Sequence, residues 1–337
     1  MNNASRSSQT RPVDAWLVCL LLTILPSVAS TAAQTTEQSA PAREWTVPRT
    51  PWGHPDLSGV YSNNSESLIP MERPAEFDGR RIEDLSAAEL EQVNRQRVAR
   101  FNDAVAGLGS TLFAGSFERS RGRPWLIVDP PDGHIPPLTF EAQARLRQPV
   151  RGVSSNSIPD GPFNSYEDLG LYDRCITRGI PDSMLPVGYG SNYEIIQTRD
   201  VVAIRYEMIH EVRVVPLDGR PRAGQRLRLD LGDARGRWEG ASLVIETTNF
   251  NARSTFRGAS ENLRLIERFT PTAPGIIEWK VTLDDARTWT RPWTFASTLT
   301  RMDESQRIFE YACHEGNYSM RNMLTGARRG ELIREGK

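Results

Sequence analysis

From Tyr193 onward the apolar residues fall on every second position, in short runs separated by turn residues. Two-residue alternation marks a strand with one buried face, and it predicts strands at Tyr193 to Thr198, Val201 to Met208, Glu211 to Leu217, Ser242 to Asn249, Asn262 to Thr270, Ile276 to Leu283, Trp293 to Arg301 and Arg307 to Cys313. Most links are short and include Arg199-Asp200, Asp218-Gly219 and the stretch TAPG at 272–275, and no helix of crossover length is read between the strands. Short turns between sequential strands point to an antiparallel meander, and a parallel βαβ sheet is disfavoured. A meander of this size commonly closes on itself, so the expected fold is an up-and-down β-barrel of the lipocalin or calycin kind, with a β-sandwich as the alternative.

Before Tyr193 the pattern is irregular. Ser86 with Glu89 forms a capping box, Leu85 and Leu90 are placed as a hydrophobic staple, and Leu90, Val93, Phe101 and Val105 recur near helical spacing, predicting a helix around 86–106. Trp125 to Asp129 reads as a short buried strand closed by the Pro130-Pro131-Asp132-Gly133 turn, and Thr139 as the cap of a short helix running to Gln148. PWGHPDLSGVY, from Pro51, reads as an ordered turn feeding a short strand around Gly59 to Tyr61. Residues 51–190 are therefore expected to be a turn-rich segment packed on a barrel formed by 191–325, with 326–337 as a C-terminal tail.

The N-terminus has a different texture. Arg6 and Arg11 precede the apolar run Ala15 to Leu25, which is followed by Pro26 and the small residues SVASTAA. This is the order of a secretory signal, and the run falls short of the ~20 residues that span a bilayer. The expectation is a signal peptide at 1–33, a polar linker at 34–50, a periplasmic or secreted mature protein, and no stable membrane anchor after cleavage. Cys19 would leave with the signal. That leaves Cys175 and Cys313 in an oxidising compartment, where two thiols usually pair, so a disulfide between them is expected.

Charge narrows the partners. The 41 basic and 42 acidic residues nearly cancel, which gives no clustered positive surface for nucleic acid. No phosphate-binding loop, dinucleotide fingerprint, nucleophile elbow, zinc helix or CxxC motif occurs, so no cofactor is expected. The four histidines, His54, His134, His210 and His314, lack metal-ligand spacing, and no metal is expected either.

What remains is a density of ionisable groups within apolar strands. Arg205 and Glu207 share one strand face by alternation, and Glu211 and Arg213 share another; Glu246 and Glu267 lie inside later strands. Some can line a polar-spotted pocket, with Trp279 and Tyr311 as stacking surface, or they can face solvent and pair across strands. His314 with Glu315, His210 and Glu246 are the acid/base candidates, because histidine titrates near neutrality and a carboxylate can orient it. Arg205, Glu207, Arg213, Glu267, Trp279 and Tyr311 are the ligand-binding candidates. GDARGRWEG, at 232–240, reads as a tight loop whose backbone N–H groups can face an anion.

PWGHPDLSGVY, RPWLIVDPPDGHIP, GDARGRWEGASLVIETTNF and EYACHEGNY resemble the signature segments of a widespread family of secreted bacterial proteins. The resemblance covers nearly the whole mature chain. It implies an exported bacterial protein with one integrated fold, and it brings no reaction and no catalytic residue. The expected function is an exported enzyme performing lyase, isomerase or hydrolase chemistry, without cofactor, on a hydrophobic or aromatic small molecule in a barrel pocket. The alternative is a non-catalytic periplasmic ligand-binding or scaffold protein.

Overall fold

A computed structural model describes residues 45–105, 123–147, 163–187, 190–254, 256–303 and 305–336. The expected signal and most of the linker lie outside the described residues. Ten strands form one antiparallel sheet: β1 (Gly59–Ser62), β2 (Ile127–Asp129), β3 (Asn192–Gln197), β4 (Val201–Tyr206), β5 (Val212–Pro216), β6 (Asp233–Glu239), β7 (Ser242–Thr248), β8 (Arg264–Ala273), β9 (Ile276–Asp284) and β10 (Trp293–Arg301). Among the described residues three α-helices accompany them: α1 (Ala87–Val105), α2 (Phe140–Leu146) and α3 (Tyr318–Arg334).

The ladder runs β5-β4-β3-β1-β10-β9-β8-β7-β6, with β2 added on β10. Taken from β1, nine strands follow one another around a ring in chain order, which makes a nearly closed up-and-down barrel. Every ladder in the ring is antiparallel. With nine strands that alternation cannot close, so β5 and β6 point the same way. Parallel neighbours cannot share a hairpin, and residues 217–232 carry the chain back along the barrel between them. The ring is therefore unzipped at this one seam. β6 still abuts β5, since a Cβ on Gly236 would stand 2.5 Å from Leu217 and 2.9 Å from Val215.

The alternating apolar residues turn inward and fill the barrel. Ile277, Trp279, Val281 and Leu283 of β9 and Trp293, Phe295 and Leu299 of β10 are all buried. Trp279 meets Phe295 edge to face at 5.5 Å, and Trp293 meets Trp289 likewise at 5.5 Å. Ile180, Met184 and Phe256 join the same core from outside the strands. Buried Glu66 fastens the first segment to β10, accepting from Ser297 Oγ at 2.6 Å and from Thr298 N at 2.9 Å.

Three local expectations are corrected. GDARGRWEG is strand β6 with a Gly240 turn, φ +61°, into β7; its alternate residues Asp233, Arg235, Arg237 and Glu239 are charged, which hides the strand from a hydrophobicity reading. Arg307 to Cys313 forms no ladder, and β1 occupies the ring position next to β10. Residues 326–334 belong to α3, which buries no residue fully. By contrast the α1 cap forms as spaced, with Ser86 Oγ accepting from Glu89 N and Glu89 accepting from Ser86 N at 2.9 Å. Thr139 caps α2 by accepting from Ala142 N at 3.1 Å.

Candidate functional site

Among the described residues the barrel interior holds one buried ion pair. Arg213 of β5 meets Glu267 of β8 at 2.5 Å, both sealed from solvent. Arg213 also donates to Thr247 Oγ1 at 2.6 Å, and Trp279 Nε1 donates to Glu267 Oε1 at 3.2 Å. Tyr206 lies beside the pair, and burial pushes its phenol well above the usual range. Arg213, Glu267 and Trp279, named separately as ligand-binding candidates, are thus one cluster on three inward faces. It ties β5 to β7 and β8 behind the unzipped seam, where backbone hydrogen bonds are missing.

The other charged candidates lie outside the lumen. Arg205 pairs with Glu194 at 2.8 Å across β4 and β3. Glu246 binds Arg264 at 2.6 Å and Arg222 at 2.9 Å on the outer face, and the Arg264 hydrogen bond holds its carboxyl below the usual range. Glu207, at the end of β4, accepts from Asn192 Nδ2 at 2.5 Å. His54 packs on Trp238 at 5.3 Å, and His134 stands 3.6 Å from Glu72.

The C-terminal motif gathers at one place. Cys175 and Cys313 are joined as a disulfide, with Cα atoms 5.8 Å apart. Beside it opens a cleft of about 460 Å³, lined by Tyr172, Asp173, Glu310, Tyr311, Glu315 and Asn317 together with Cys313. Tyr172 and Tyr311 face each other with hydroxyls 3.3 Å apart, and Asn317 Nδ2 donates to the Asp173 carbonyl and to Cys175 Sγ, each at 3.3 Å. Burial raises the Asp173 carboxyl above its ordinary range, opposed by a hydrogen bond from Gly170. Glu315 is exposed on the cleft wall, and His314 is exposed beside it.

His210 serves this segment from the barrel side. Its ring lies 3.1 Å from both the Tyr311 carbonyl and the Tyr311 nitrogen, so it holds the C-terminal segment by its main chain. The adjacent Glu211 accepts from Thr177 Oγ1 at 2.8 Å, and burial pushes its carboxyl up to about 7. Asp182, also buried, rises to about 6 against the pull of Arg178 and Arg257. His314 and Glu315 form no hydrogen bond with each other or with Glu246 among the described residues. Among the described residues neither His210 nor His314 meets a carboxylate within hydrogen-bond reach, and His134 beside Glu72 is the histidine that approaches one.

Tyr172, Asp173 and Asp182 escape the sequence reading because they sit in a segment without periodicity. The available signal was Cys175: once its pairing with Cys313 is expected, its neighbours must border the same motif.

Fold and site together define a nearly closed antiparallel β-barrel protein whose interior is packed and whose open cleft lies beside a disulfide. No protein-family model and no curated protein sequence matches the chain. Among solved structures, the chain is similar to a secretory abundant heat soluble protein from Ramazzottius varieornatus, at 11% identity and TM-score 0.23 over 39% of this chain and 86% of that one. It is also similar to an asparagine-to-alanine variant of the fluorescent protein UnaG, at 14% identity and TM-score 0.22 over 40% of this chain and 86% of that one. The barrel assignment rests on the strand order of the chain itself. No helix among the described residues is long and apolar enough to cross a membrane.

Proposed function

We propose that this is an exported bacterial binding protein for a small organic cation, held in the cleft beside the Cys175–Cys313 disulfide. The carrying observation is the cleft's lining: carboxylates Asp173, Glu310 and Glu315 around Tyr172 and Tyr311, with no basic side chain among the described lining residues and Arg178 lying over the Tyr172 ring at 5.5 Å. Carboxylates and aromatic faces are the two groups that attract ammonium ions, and tyrosine rings suit quaternary ones. Its volume lies in the range of small-molecule pockets, which run from roughly 300 to 1,000 Å³. The filled lumen and the separated histidines support binding over catalysis.

The test is isothermal titration of the mature protein with benzyltrimethylammonium and, separately, benzoate. Binding of the cation alone is expected, weakened about tenfold by Tyr311→Ala and several-fold by Glu315→Gln. Equal binding of benzoate, or cation binding indifferent to both substitutions, would overturn the reading.

A further inference from the structure

A second groove lies far along the chain from the disulfide, between α1 and the segment before it. It measures about 470 Å³ and is lined by Leu68, Pro70, Pro74, Glu76, Val93, Arg97 and Arg100. Val93, Arg97 and Arg100 follow at i, i+4 and i+7, so one face of α1 presents an apolar residue and then two guanidiniums. The facing wall is mostly leucine and proline.

Arg97 is the unusual member. It is buried, at 7% exposure, yet no carboxylate pairs with it among the described residues. Its hydrogen bonds go to neutral oxygens: Asn94 Oδ1 at 3.3 Å, the Arg123 carbonyl at 3.2 Å, and the Pro124 carbonyl. Those take three of its five N–H donors and leave two, on Nε and Nη2. A buried charge without a counter-ion is costly, and a second cation nearby adds to the cost. Burial and the Arg100 charge together lower the Arg97 pKa to about 10, with Glu76 opposing them.

We propose that this groove binds an organic monoanion with an apolar body, a medium-chain carboxylate. Arg97 and Arg100 take the carboxylate, which supplies the missing counter-charge, and Leu68, Pro70, Pro74 and Val93 take the chain. Glu76, at the rim, opposes the anion. The site is separate from the cation cleft in both position and sign of charge.

Arg97 also fastens α1 to the Arg123 and Pro124 main chain, so the charge is best tested at exposed Arg100 and Glu76. The mature protein is titrated calorimetrically with octanoate, octylammonium and acetate, and thermal unfolding of each variant is recorded to show that it is folded. Octanoate should bind more tightly than either of the others. Arg100→Gln should weaken octanoate by roughly three- to tenfold, and Glu76→Gln should tighten it by about two- to threefold. The gain in Glu76→Gln is the diagnostic outcome, because a merely structural role would not produce it. Absence of octanoate binding, octylammonium binding as tight as octanoate, or an octanoate affinity unmoved in both variants would overturn the proposal. Loss of benzyltrimethylammonium binding in these variants would also contradict it, since the two sites share no residue.

Discussion

Glu211 and Asp182 show how burial leads the pH response of single residues. Their folded pKa values stand at about 7 and about 6, above the ordinary 4.5 and 3.8, with desolvation the leading cause for both. A carboxyl whose pKa is raised by folding holds its proton longer in the native state, so native protein binds more protons between the two values. Stability from these groups is therefore full below about pH 4, falls as pH rises toward 7, and is flat above. Glu211→Gln should flatten the upper part of that fall and stabilise the protein at pH 8 by on the order of 2 kcal/mol, since each pK unit is worth about 1.4 kcal/mol. Urea unfolding from pH 4 to pH 8 measures this, and a variant that keeps the full wild-type slope would count against Glu211 as its source. Glu267 is instead held in a buried ion pair with Arg213. Glu267→Gln should cost about 3 to 5 kcal/mol by leaving Arg213 buried and unpaired, whereas replacing both with apolar residues should cost much less. The sequence named Arg213, Glu267 and Trp279 as candidates and left open whether they face the lumen or solvent. It could not say that they meet, because the distance between strands is set by the closure of the ring.

At the scale of elements, the seam is where the fold is most exposed to change. β5 and β6 share no ladder, and residues 217–232 lock beside them through arginines: Arg222 donates to the Asp233 carbonyl at 2.6 Å and to Glu246 at 2.9 Å, while Arg235 donates to the Pro221 carbonyl at 2.6 Å. Gly236 lets β6 close against Leu217 and Val215. Gly236→Ala should push these apart and cost about 1 to 3 kcal/mol by overpacking, with faster amide exchange in 233–239 and 212–217 than elsewhere in the barrel. Uniform exchange across all strands would show that the seam is no weaker than the ladders. The hairpins were legible because their inward residues are apolar. β6 was not, because its outward residues are charged and two of its three inward ones, Ala234 and Gly236, are small, leaving Trp238 as the one large apolar residue of the run. α1 was legible from its cap and staple, which are local; α3 was not, because it buries no residue fully and so carries little apolar stripe to read.

At the scale of the whole molecule, one covalent link decides how the C-terminal segment is held. Residues 305–336 contribute no barrel strand, and α3 leaves Tyr318, Leu332 and Ile333 exposed. Its attachments among the described residues include the disulfide, His210 at the Tyr311 main chain, Tyr172 at the Tyr311 hydroxyl, Asn317 at Asp173, and Arg328 at the Phe163 carbonyl. The disulfide spans 138 residues of sequence, and closing a loop of that size in the unfolded chain is worth about 5 kcal/mol in the entropy model, with measured values commonly 2 to 4. The barrel ladders do not include either cysteine. Cys313→Ser, with Cys175→Ser to avoid a free thiol, should therefore lower global stability by about 2 to 4 kcal/mol and make 305–336 cleavable by protease while the barrel stays protected. The cation cleft should be lost in the same variant, because its two walls are the segments that the disulfide joins. Benzyltrimethylammonium affinity and limited proteolysis, read on the double variant at a temperature where the barrel is folded, separate the two effects. A cleft that still binds, on a segment that still resists protease, would mean that His210, Asn317 and Arg328 suffice and that the disulfide is dispensable to the site.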